Sequence, residues 1–125
     1  EMKMLWETQK IMGDQSILVN ATAVRVPVFY GHAEAIHLET RSPIDAQHVK
    51  ELLADAPGVT VYDGNEQFPT QVSSASGNDI VHVGRIRNDI THPCGLNLWV
   101  VSDNIRKGAA TNSIQIAETL IRDYL

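Results

Sequence analysis

This chain of 125 residues has little cysteine, no excess of positive charge and no long apolar run. Its single cysteine, Cys94, excludes an intrachain disulfide and points to a reducing compartment, so a cytoplasmic location is expected. A formal net charge of −5 leaves no basic footprint of the kind nucleic-acid binders need. No apolar stretch approaches the ~20 residues of a membrane span. The opening Glu1-Met2-Lys3-Met4-Leu5-Trp6 lacks the charge layout and length of a signal peptide. The five histidines (His32, His37, His48, His82, His92) show no metal-ligand spacing, so no metal site is expected. Dinucleotide-binding G-x-G-x-x-G, P-loop and G-x-S-x-G patterns are missing as well. What remains is the composition of one soluble globular domain, long enough to build a core. Glu1 falls inside a helical pattern with no capping residue before it, so the chain reads as a fragment.

Periodicity divides the chain into alternating helices and strands. Met4, Leu5, Ile11 and Met12 recur at helical spacing over residues 1–12, and Gly13-Asp14 is a stop. Residues 22–29 are rich in β-branched side chains and read as a strand, with Pro27 marking an edge or a bulge. Gly31 supplies a turn into a second alternating strand over 34–40, so the two are expected to form a hairpin-like pair. A helix follows over 44–55, with Ile44, Val49, Leu52 and Leu53 on one face and Ala56-Pro57-Gly58 at its end. Residues 59–62 read as a short strand closed by Asp63-Gly64-Asn65, and the polar stretch 63–79 mostly as loop. Residues 80–86 and 96–101 are further strands, the latter the most apolar and expected at the sheet centre. A last helix is expected over 108–123, burying Ala110, Ile114, Ala117, Leu120 and Ile121. The order predicts an α+β fold: a mainly antiparallel, mixed sheet with helices packed on one face.

Chemistry concentrates in Arg25-Val26-Pro27-Val28-Phe29-Tyr30-Gly31-His32-Ala33-Glu34. Arginine grips a carboxylate through two parallel hydrogen bonds, and histidine moves protons near neutral pH. By spacing alone the pair also suits a solvated surface hairpin. Cys94, in the turn His92-Pro93-Cys94-Gly95, reads as an incidental thiol rather than a nucleophile. Arg85 and Arg87 share a strand face and read as a solvated or dimer-facing basic strip. The run Asp103 to Asn112 places Lys107-Gly108 and small residues at a helix entrance, where anions are attracted. Asn112 and Gln115 share a face of that helix.

Four segments together resemble the aspartate-semialdehyde dehydrogenase family, in its C-terminal part. They are Glu1-Met2-Lys3-Met4 with Glu7 to Ile11; Ala21 to Val28 with Gly31-His32-Ala33-Glu34-Ala35; Val83 to Arg87; and Leu98 to Asn104 continuing from Lys107 to Glu118. The resemblance implies a catalytic and dimerisation domain over 1–125, folded like the C-terminal domain of glyceraldehyde-3-phosphate-dehydrogenase-like enzymes. It also implies NADPH-dependent reductive dephosphorylation of L-aspartyl 4-phosphate to aspartate semialdehyde, on the route to lysine, threonine, methionine and diaminopimelate. Carried over by position, Arg25 would clamp the substrate α-carboxylate and His32 would be the general acid/base beside a cysteine thiolate. Lys3 would serve the phosphate subsite, and Asn112 and Gln115 the nicotinamide end of NADP. A homodimer is implied, with neither nucleic acid nor membrane as partner.

This sequence departs from the family in what it lacks. The Gly-rich nucleotide-binding segment and the Asn-Cys nucleophile motif are not in it, and the substrate-binding acid would fall before Glu1. Ala33 and Ala23 stand where the family commonly has Ser and Cys. The chain alone is therefore expected to be inactive. Two other readings remain open: a dimerisation module without chemistry, and an N-acetyl-glutamyl-phosphate reductase activity in the parent protein.

Overall fold

A computed structural model describes residues 1–64 and 67–125. Helix α1 spans Met2–Met12 and ends on Gly13, whose φ of 65° lets the Gly13 and Asp14 amides bond back to the carbonyls of Lys10 and Gln9. Strand β1 is His32–Glu39, helix α2 Ala46–Ala54, strand β2 Val59–Tyr62, strand β3 Val81–Asn88, strand β4 Gly95–Ser102 and helix α3 Thr111–Tyr124. Two single π-turns, Gln71–Ala75 and Arg106–Ala110, complete the order. The four strands form one sheet in the order β1-β4-β3-β2. β1 with β4 and β3 with β4 run antiparallel, whereas β2 with β3 is parallel, so the α+β, mixed-sheet expectation holds. β4 is internal, as its apolar run required.

Alternation along β4 builds two different faces. Leu96, Leu98 and Val100 look toward α2, where Val49, Val83, Ile86 and Leu96 make the buried cluster, with Leu38, Ile44, Leu53, Val59 and Val61 around them. Helix α2 is held over this face by its cap. The Asp45 carboxylate accepts from the Gln47 and His48 amides, and Asn88 at the end of β3 accepts from the Ala46 amide. On the opposite face, Val101 lies beneath the segment Pro69–Ala75, and Trp99 Nε1 donates to the Pro69 carbonyl at 2.9 Å. Gly84 is required there, since a Cβ would meet Pro69 Cδ at 2.9 Å. A bulge between Gly84 and Arg87 places Arg85 at φ 54° and leaves both arginines exposed while Ile86 stays in the core.

Several expectations are corrected. Residues 22–29 form no strand, and no hairpin with β1 exists. Pro27 cannot donate to a ladder, the Val28 amide closes a tight turn onto the Val26 carbonyl, and the Ala23 amide is taken by Glu1 Oε1. Val24, Val26 and Phe29 are exposed accordingly. The stretch 63–79 is not plain loop but contains the first π-turn, capped by Thr70 Oγ1 on the Ser73 amide. Residues 65 and 66 of that stretch lie outside the described residues. Leu52 faces solvent on α2. The final α-helix begins at Thr111, and its expected stripe of Ala110, Ile114, Ala117, Leu120 and Ile121 is not buried. No other described element packs over that face. No described helix is long and apolar enough to cross a membrane.

Candidate active site

His32 is the first residue of β1 and pairs in register with Ser102, the last residue of β4. Sheet geometry therefore sets it at the corner from which β4 runs on into the second π-turn and α3. The turn before it is anchored from a distance. The Gly31 amide donates to Asn104 Oδ1 at 2.8 Å, and a Cβ on Gly31 would stand 3.0 Å from the Gln71 Cβ. Gly31 has φ 91°, a left-handed conformation that favours glycine. The imidazole of His32 is exposed.

The corner beyond β4 is built by two aspartates. Asp103 is 4% exposed and its carboxylate accepts from the amides of Gly77, Ile105 and Arg106. Those amide donors, with that of Arg106 foremost, hold its pKa below the ordinary carboxylate value. Asp79 receives the Arg106 guanidinium through two bonds of 2.7 Å and the Thr111 hydroxyl at 2.8 Å. These contacts, Arg106 first, bring its pKa to about 2. The second π-turn is thus pinned to the loop after the first one, and α3 starts from a defined place.

Lys107 projects from that π-turn toward α3. Its Nζ donates to Gln115 Oε1 at 2.7 Å and to Asn112 Oδ1 at 3.4 Å. An ammonium has no acceptor, so both amide oxygens must turn toward it and both amide NH2 groups turn away. Asn112 and Gln115 therefore do share a face, as their spacing requires, and Lys107 orders them. Lys3, on the first turn of α1, is exposed and lies 3.5 Å from Glu7. Arg25 is exposed in the irregular segment and has no hydrogen-bond or ion-pair partner among the described residues. The Glu1–Ala23 bond brings that segment alongside the α1 turn that carries Lys3.

The structure thus joins His32 to the corner that carries Lys107, Asn112 and Gln115, and joins Arg25 loosely to the start of α1. Among the described residues, no hydrogen bond or ion pair links Arg25 or Lys3 to His32. Sequence reading named Asp103 and Asn104 only as the start of the helix-entrance run, with no role of their own, and passed over Asp79 and Gln71. Asp103-Asn104 directly before a helix entrance is the kind of pair that caps by side chain, which was a usable signal. Gln71 carried none. Cys94 lies elsewhere, in the turn before β4, where its amide is bonded to His92 Nδ1. Two grooves, one lined by Lys50, Tyr62, Arg85 and Arg87 and the other by His37, Arg85, Asn97 and Trp99, include none of the expected site residues. No cluster of potential metal ligands occurs among the described residues.

Known proteins resemble this chain along its whole length. It is 66% identical over 124 residues, 99% of the chain, to an aspartate-semialdehyde dehydrogenase of Shewanella sp. (strain DB6705), of which it covers 37%. A relative of the same name from Aquifex aeolicus (strain VF5) is 54% identical over all of the chain, which again covers 37% of that protein. Among solved structures, aspartate semialdehyde dehydrogenase II from Vibrio cholerae, complexed with ASA, superposes with a TM-score of 0.95 at 64% identity. That match covers 100% of this chain and 37% of the other. The chain therefore spans little more than a third of the length of the relatives it matches. The family model described as semialdehyde dehydrogenase, dimerisation domain matches residues 1–107, and the chain belongs to that family.

Proposed function

We propose that this chain is the catalytic and dimerisation part, over 1–125, of an NADP-dependent aspartate-semialdehyde dehydrogenase of phosphorylating type. The substrates are L-aspartyl 4-phosphate in one direction and aspartate semialdehyde with phosphate in the other. The observation that carries this reading is the placement of His32. A histidine stands at the start of β1, paired with Ser102 and preceded by a glycine whose amide bonds to Asn104, on the corner that presents two ordered amides.

In this reading Arg25 holds the substrate α-carboxylate by two parallel bonds, a task suited to a guanidinium free of other partners among the described residues. Lys3 offers fixed positive charge to the phosphoryl group as it leaves. A proton moves between an imidazole nitrogen of His32 and the oxygen on the reacting carbon. The residues present fit one end of the cofactor. With their oxygens held by Lys107, Asn112 and Gln115 keep amide NH2 donors for the carboxamide oxygen of a nicotinamide. NADPH, when bound, supplies the hydride. The thiol nucleophile and the nucleotide-binding turn come from residues other than these, because Cys94 lies in the turn before β4, apart from the His32 corner.

The test compares this chain with the longer protein that carries it. The 125-residue chain alone should give no acyl-phosphate-dependent oxidation of NADPH, and the longer protein should turn over. In the longer protein His32→Ala should lower kcat by about 10²–10⁴-fold. A rate within twofold of the parent would remove His32 from the acid/base role. Activity with N-acetyl-glutamyl phosphate in place of aspartyl phosphate would redirect the substrate assignment. A scaffold without chemistry is the second reading, favoured by the dimerisation-domain description of the family. Sedimentation of the longer protein as a dimer, together with an undiminished rate for His32→Ala, would select it.

A further inference from the structure

We propose that Asn104 is a positioning residue for His32, an inference that rests on the acid/base reading of that histidine. His32 is exposed and its imidazole has no hydrogen-bond partner among the described residues, so its own side-chain contacts do not fix its place. Its aim is set through the backbone, by its pairing with Ser102 on one side and by the Gly31 peptide that precedes it. That peptide is held on two sides. Asn104 Oδ1 accepts from the Gly31 amide at 2.8 Å, across 73 positions of sequence. On the other side the Gln71 Cα and Cβ lie so close that a Cβ on Gly31 would stand 3.3 Å and 3.0 Å from them. Without the Asn104 bond, nothing among the described residues holds the Gly31 amide.

Asn104 can do this because its own backbone is anchored. Its neighbour Asp103 is buried and takes three amide bonds, from Gly77, Ile105 and Arg106. Arg106 is locked in turn to Asp79. The same anchored corner carries Lys107 and, through it, Asn112 and Gln115. Asn104 therefore connects the proton-transfer group to the corner that presents the two amides. A shift of about 1 Å between such groups costs on the order of 10²-fold in rate.

The experiment uses the longer protein that carries this chain. Asn104→Ala should lower kcat by about 10–100-fold, leave both KM values within about threefold, and leave the thermal midpoint within a few degrees. Asn104→Asp keeps an acceptor at the same atom and should recover most of the lost rate. The inference is overturned by an Asn104→Ala rate within twofold of the parent, by equal losses in Ala and Asp variants, or by a loss that appears in KM. A large fall in thermal midpoint for Asn104→Ala that Asp restores without restoring rate would also overturn it, since the bond would then be merely structural. His32→Ala separates the two claims. If that variant is fully active, the acid/base reading fails. If it is impaired while Asn104→Ala is not, only the positioning role fails.

Discussion

Leu96 in β4 and Ile121 in α3 are both apolar residues in regularly patterned elements, yet Leu96 is 1% exposed and Ile121 is 63% exposed. The contrast extends to their surroundings. The sheet and α2 close a cluster around Val49, Val83, Ile86 and Leu96, while neither α1 nor α3 has a buried residue. Amphipathic periodicity tells which face of a helix is apolar and does not supply the surface that covers it. The expected site divides along the same line. His32 begins a strand of the sheet, whereas Lys3 and Arg25 stand on or beside α1, and Asn112 and Gln115 on α3. The sheet with α2 holds the buried cluster, and the expected binding residues lie on the elements that flank it.

That contrast can be broken experimentally. The largest stability effect belongs to the sheet. Leu96→Ala should cost about 2–5 kcal/mol in denaturant unfolding of this chain, because a fully buried side chain leaves a cavity. A cost under about 1 kcal/mol would show that the α2 face is loosely packed. On the flank, Arg25→Leu in the longer protein should raise the substrate KM by about 10²-fold while leaving stability near the parent's. An unchanged KM would detach Arg25 from the carboxylate.

A smaller effect joins the two regions at the Asp79–Arg106 corner. The Asp79 pKa is lowered to about 2 in the folded state from an ordinary 3.8, so its contribution is complete above about pH 4 and fades as the pH falls toward 2. Thermal midpoints measured through that window should fall less steeply for Asp79→Asn than for the parent. Parallel profiles would mean that the corner does not report on global unfolding. The smallest effect is expected at α3, where Ile121→Ser should change the stability of this chain by no more than about 0.5 kcal/mol. A larger loss would show that α3 has a packed face after all.

Much of the sheet was legible beforehand, for identifiable reasons. β4 is a continuous apolar run and had to be internal. β1 alternates, and Ala56-Pro57-Gly58 stops α2. Residues 22–29 misled because Val24, Val26, Val28 and Phe29 carry strand propensity that has no ladder to join, and Pro27 removes one of the donors. The site was legible in its residue types but not in its support. Nothing in the spacing of Gly31 and Asn104 announces a bond across 73 positions. Nor does the sequence show that Gln71 backs the same glycine, which depends on the π-turn that carries it.

Sequence alone determined what is local in this protein: which stretches alternate, where helices begin and stop, and which residues can grip a carboxylate or move a proton. It also determined the family, because long matched segments around Arg25, His32 and Lys107 occur in one order. Tertiary structure decided which apolar faces are covered, that the Arg25 stretch is irregular, and that the Gly31 amide before His32 bonds to Asn104. The physical reason is that propensity and periodicity act over a few residues, whereas burial and long-range hydrogen bonds depend on which surfaces meet once the sheet has formed.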